Sequence, residues 1–204
     1  MSRIVFIVLL LCLVKTGKCE PDSRSLYQQL GIEGTISFPA FEKALKGYQR
    51  LPVEKKGLLV LIDYTKPSTM KRFCVVNLEE KRVLFSSHVS HGRRSGENYA
   101  ESFSNQPGSF KSSLGFFLTG ETYYGKNGYS LMLDGLEKGI NDNARERSIV
   151  IHGADYSDPS VLKGQPRLGR SLGCPALPPE LSHQVIDTIK DGVLLYIYGL
   201  DKSS

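Results

Sequence analysis

The chain has 204 residues, enough for one well-cored domain with a short appendage. Its apolar share of 40% and charged share of 23% are those of an ordinary globular protein, with no internal repeat or low-complexity tract. The formal charge of +5 owes three of its basic residues, Arg3, Lys15 and Lys18, to the first nineteen positions; without them the balance is +2. With no zinc-finger, helix-turn-helix or RNA-binding signature either, a nucleic-acid partner is not expected.

Arg3 precedes an unbroken apolar run from Ile4 to Val14, and the polar segment Lys15 to Glu20 follows. That run is too short to span a bilayer and has the length of a signal-peptide core. Residues 1–19 are therefore expected to be an export signal, cleaved after Cys19, with a retained anchor as the alternative. Export implies a periplasmic or cell-envelope location. It would leave two cysteines, Cys74 and Cys174. A bridge between them is the structural alternative in an oxidising compartment, although nothing in the sequence brings the two together.

After a lead segment at 20–35, the domain is expected over 36–204. Ser37 reads as an N-cap, and Phe38, Phe41, Ala44, Leu45 and Tyr48 recur at helical spacing, with Gly47 and Pro52 closing the helix. Strands are predicted at 57–64, 72–77 and 82–90. The first is almost wholly apolar and so buried on both faces, and Glu79-Glu80-Lys81 turns a hairpin between the other two. Further strands are predicted at 115–119, 129–134 and 148–152. Pro178-Pro179-Glu180 opens a helix with Leu181, Val185, Ile186 and Ile189 on one face, and 193–198 is a last buried strand. The sum is an α+β domain, mainly β. The connection 153–173, rich in Gly, Pro and Arg, is longer than ordinary and so is either functional or disordered.

Two residues at the ends of that connection carry chemistry. His152 closes an apolar strand, and Cys174 follows Gly169-Arg170-Ser171-Leu172-Gly173. A thiol attacks as the thiolate, and an imidazole can take its proton at neutral pH. Small residues before the cysteine let the Gly173 and Cys174 N–H groups turn toward a developing oxyanion. The competing reading is a structural cysteine in a glycine-rich turn. Asp155 and Asp158 match no metal-ligand spacing, so no metal is expected. His88 and His183 read as surface or packing residues.

The order of strand, His152-Gly153, long loop, Ser171-Leu172-Gly173-Cys174, helix and strand resembles the YkuD-type L,D-transpeptidases. Their signature is a histidine followed, after a variable loop, by Ser/Thr-His-Gly-Cys and then usually Arg or Asn. Here Leu172 stands in place of the histidine and Pro175 in place of Arg or Asn. The segments 63–68, 91–93, 103–105, 113–116, 125–130 and 169–171 resemble the variant branch labelled murein L,D-transpeptidase catalytic domain, so the likeness runs over about residues 36–200.

The resemblance implies mixed β-sheets or a sandwich with flanking helices, and a cysteine acyltransferase acting on peptidoglycan stem peptides. Cys174 would form a thioester with release of D-Ala, and a neighbouring amine would complete a 3→3 cross-link. His152 would be the base and the Gly153 carbonyl its orienting partner. Arg170 is the first candidate for gripping a substrate carboxylate, with Arg167, Arg93 and Arg94 as others. Ser171 would hold the loop or the substrate, His91 would serve the pocket, and Tyr129 would wall a groove. No cofactor and no stable protein partner are expected, and a carbapenem should form an adduct at Cys174. Water as acceptor, giving an L,D-carboxypeptidase, and a non-catalytic wall-binding domain remain open alternatives.

Overall fold

The computed structural model describes residues 22–51 and 53–202, so the expected signal at 1–19 lies outside the described residues. The lead segment is a helix, α1 (Ser23–Leu30), capped by the Asp22 carboxylate accepting from the Arg24 N–H. Leu26, Tyr27 and Leu30 are buried, and the Tyr27 hydroxyl donates to the Ile36 carbonyl at 2.6 Å. α2 (Phe38–Arg50) starts where the Ser-Phe-Pro pattern places it, but Gly47 does not end it. A Cβ at Gly47 would come within 2.2 Å of the Phe116 ring, so this glycine serves a close packing contact and the helix runs on.

Among the described residues eight strands form one sheet in the order β3-β2-β1-β8-β4-β5-β6-β7. β1 (Leu58–Asp63) runs antiparallel to β2 (Phe73–Asn77) and parallel to β8 (Leu194–Tyr198). Side chains alternate across it. Leu59 and Leu61 join Cys74, Val76 and Tyr196 under α1 and α2, while Val60 and Ile62 join Phe73, Leu195 and the buried face of α3 (Pro179–Ile189). Two covered faces explain the continuous apolar run of β1.

β3 (Arg82–Ser87) pairs with β2 across the expected hairpin. β4 (Gly115–Gly125) continues six residues past the apolar pattern that marks its start, because its far end is solvent-exposed and so lacks an apolar face. It forms a hairpin with β5 (Gly128–Gly135). β6 (Val150–Gly153) pairs antiparallel with β5, and the two-residue β7 (Ala176–Leu177) pairs parallel with β6. No periodicity can mark so short a strand, yet it positions the site. The connection 153–173 is built of ordered turns, with 3-10 segments at Asp155–Ser157 and Pro159–Lys163.

Candidate active site

The β6–β7 pairing sets His152 opposite Ala176, two residues beyond Cys174. The histidine therefore sits on β6 and the cysteine in the bend that leads into the neighbouring β7. Both are buried, His152 at 4% and Cys174 at 8% exposure. The imidazole Nδ1–H donates to the Gly153 carbonyl at 2.9 Å, which fixes the tautomer and leaves Nε2 with its lone pair. Burial depresses the His152 pKa below its ordinary 6.5, only partly offset by that bond, so the ring is neutral at pH 7.

The resting thiol donates to the Ser148 carbonyl at 3.5 Å rather than to the imidazole. Burial raises its pKa; the Val150 N–H, the charge of Arg147 and its own N–H pull the other way. The resting pair is thus neutral thiol and neutral imidazole. Such pairs often tighten into a direct hydrogen bond only when substrate is bound.

The cysteine loop is held from both sides. Ser171 Oγ donates to the Cys174 carbonyl at 2.6 Å and accepts the Gly173 N–H at 3.1 Å. The Gly173 carbonyl accepts from Ser112 Oγ at 2.9 Å. Gly173 itself sits at φ 132°, and a Cβ there would meet the Lys111 carbonyl at 2.9 Å, so only glycine fits. The Gly173 N–H, an expected oxyanion donor, is engaged by Ser171 Oγ. The Cys174 N–H, facing its own sulfur, is the amide that remains.

The other expected residues divide. His91 is fully buried, accepting from Arg72 Nη2 on Nδ1 at 2.7 Å and donating from Nε2 to the Gly96 carbonyl at 3.2 Å. Both nitrogens of His91, an expected pocket residue, are thus engaged within the protein. Arg170 donates to Glu97 at 2.6 Å and to the Gly96 carbonyl at 3.0 Å, while Arg167 takes the other Glu97 oxygen at 2.7 Å. Arg93 and Arg94 are exposed, their guanidinium groups over the Phe110 ring at 4.2 and 5.5 Å. Tyr129 donates to Asp187 at 2.8 Å and stacks near His183 at 4.9 Å. With Gly153, Asp155 and Lys126 it lines a groove of about 350 Å³. The His88 Nε2–H donates to the Thr69 carbonyl at 3.2 Å.

Reading the sequence missed Arg147, Ser112 and Tyr156. Arg147 reaches the cysteine loop through a turn in which Ser148 adopts φ 54°, a geometry no spacing rule encodes. Tyr156 lies in the first 3-10 segment, and its phenol, like that of Tyr64, is kept neutral by burial within electrostatic range of Cys174.

A family profile described as the L,D-transpeptidase catalytic domain matches residues 33–198. The chain belongs to this family. Solved structures similar to it include an L,D-transpeptidase from Mycobacterium smegmatis (15% identity, 70% of this chain and 59% of that one, TM-score 0.43). Another is the helical cell shape determining protein Pgp2 from Campylobacter jejuni (17%, 74% and 50%, TM-score 0.49). A third is an L,D-transpeptidase from Stackebrandtia nassauensis (16%, 89% and 78%, TM-score 0.43). The chain spans 59% and 50% of the length of the first two. No curated protein matches significantly.

This L,D-transpeptidase domain departs from the family signature at two positions with different surroundings. Leu172 projects from the loop at 59% exposure, whereas Pro175 is buried between Cys174 and β7. Proline donates no N–H, and its fixed φ suits the entry to a short strand.

Proposed function

We propose that this domain is an exported cysteine acyltransferase that forms 3→3 cross-links between peptidoglycan stem peptides. The observation that carries the reading is the His152 imidazole, fixed by the Gly153 carbonyl on the strand next to the one Cys174 leads into. A neutral imidazole with its Nε2 lone pair free is the form that accepts a thiol proton.

In this reading His152 Nε2 takes the Cys174 proton. The sulfur then attacks the carbonyl at the L-centre of the third stem residue, and the tetrahedral oxyanion faces the Cys174 N–H. Collapse expels D-Ala, whose amine takes the proton from His152, and leaves a thioester. The side-chain amine of a neighbouring stem attacks the thioester, returning the proton through His152 to the thiolate. The thioester conserves the energy of the cleaved peptide bond, so the reaction needs no nucleotide outside the cytoplasm. General base catalysis of this kind is worth about 10²–10⁴ in rate. A carbapenem would acylate the same sulfur. In this reading the exposed side chains of Leu172, Arg93 and Arg94 would be available to the stem peptide.

Incubating the purified domain with peptidoglycan and analysing the digested muropeptides tests the reading. Dimers joined 3→3 are expected. Tripeptides alone would assign water as the acceptor and overturn the transferase reading, and unchanged muropeptides would overturn both.

A further inference from the structure

Arg147 is a half-buried guanidinium without a carboxylate partner among the described residues. Its neighbour Arg145 is the contrast, paired with both Glu121 and Asp134. The side chain of Arg147 is instead clamped by neutral acceptors. Nη1 donates to the Ser104 carbonyl at 2.6 Å and to Ser113 Oγ. Nη2 donates to the Lys111 carbonyl at 2.7 Å and to Ser109 Oγ at 3.2 Å. These dipoles orient the fork without cancelling its charge. An unpaired charge taken out of water is costly, and it persists where an anion forms next to it.

That anion has one evident source. A Cβ on Gly173 would lie 3.6 Å from Arg147 Nη2, which puts the guanidinium against the residue before Cys174. The residue after Arg147 receives the thiol, Ser148 O accepting from Cys174 Sγ at 3.5 Å. We propose that Arg147 is a positioning residue that stabilises the Cys174 thiolate by its charge. This inference rests on Cys174 acting as the nucleophile. The other ionisable groups within electrostatic range of Cys174 among the described residues are Tyr64 and Tyr156, both kept neutral by burial, so Arg147 is the formal charge in range. Lowering of the thiol pKa by Arg147, against the raising effect of burial, agrees with this geometry.

Alkylation of Cys174 by iodoacetamide across a pH series, followed by peptide mass, reads the thiolate directly and needs no peptidoglycan. The midpoint is expected to rise by about one pH unit in Arg147→Gln, a tenfold loss of thiolate below the midpoint, and to return near the wild type in Arg147→Lys. An unchanged midpoint in folded Arg147→Gln, or a lysine variant shifted as far as the glutamine one, would overturn the proposal. Where Arg147→Gln does not fold, a second pair leaves Arg147 in place. Cys174→Asp should melt above Cys174→Asn at neutral pH, and an equal or lower melting temperature would overturn it. A midpoint that depends on Arg147 in a protein inert toward peptidoglycan would uphold this inference while removing the proposed function.

Discussion

The Nδ1–H of His152 is held by the carbonyl of the next residue, Gly153, at 2.9 Å. A backbone oxygen thus does what a third side chain does in a catalytic triad: it selects the tautomer and aims Nε2. Because burial outweighs this bond, the His152 pKa lies below 6.5. Acylation by a carbapenem should therefore lose rate on acidification only once the imidazole protonates, with a midpoint below pH 6.5. A rate–pH profile with its acid limb centred at or above 6.5 would contradict the assignment of His152 as base.

Gly153 packs so closely on α3 that an added Cβ would meet Ser182 Oγ at 2.5 Å and its Cβ at 3.1 Å. Gly153→Ala should displace the carbonyl that holds His152 and overpack the contact by about 1–3 kcal/mol. Adding Ser182→Ala should recover part of both melting temperature and acylation rate. A Gly153→Ala variant with wild-type rate would show that the orienting bond is dispensable.

Ser171 ties Gly173 to Cys174 through one hydroxyl. Ser171→Ala leaves both partners unsatisfied in a buried loop, costing about 1–3 kcal/mol of stability. It should also lower kcat by roughly 10²-fold if the sulfur moves by as much as an ångström. Calorimetry and steady-state rates on the same sample check both expectations.

His91 supplies a stability signal separate from catalysis. Its pKa falls to about 3 in the folded protein, from 6.5, first through burial and then through the Arg72 charge. The unfolded chain therefore binds a proton that the native one refuses between those values. Stability is full above pH 6.5 and declines by about 1.4 kcal/mol per unit as the pH falls toward 3. Carboxylates add to the loss only below about 4.5, the ordinary glutamate value. His88 and His152 act in the same direction as His91. His91→Gln, which can still accept from Arg72 and donate to Gly96, should flatten part of this slope in urea titrations at pH 6.5 and 5. An unchanged slope would place the acid sensitivity elsewhere.

Much of this architecture was legible because it is written in local patterns. The two-sided apolar run of β1 follows from burial, and the starts of α2 and α3 from a proline in the first turn, although the Ser37 side chain makes no capping hydrogen bond. The exposed end of β4 and the two-residue β7 were not legible, since neither has an apolar period to show. At the site, the Gly153 carbonyl was singled out by the family resemblance, and it accepts a hydrogen bond from His152. The partners of His91 and Arg170 were not legible, for one reason. A loop histidine or arginine looks the same in sequence whether it faces a ligand or, as here, Arg72 and Glu97. Arg147 gave no signal because the turn at Ser148, rather than any motif, carries it to the cysteine loop.

Everything chemical in the account depends on Cys174 becoming nucleophilic with the help of His152. Intact-mass and peptide-map analysis after exposure to a carbapenem measures this most directly. The account predicts one covalent adduct, located at Cys174 in the wild type and lost in both Cys174→Ser and folded His152→Ala. Modification that persists in His152→Ala at the wild-type rate, or no adduct at Cys174 in the wild type, would contradict it.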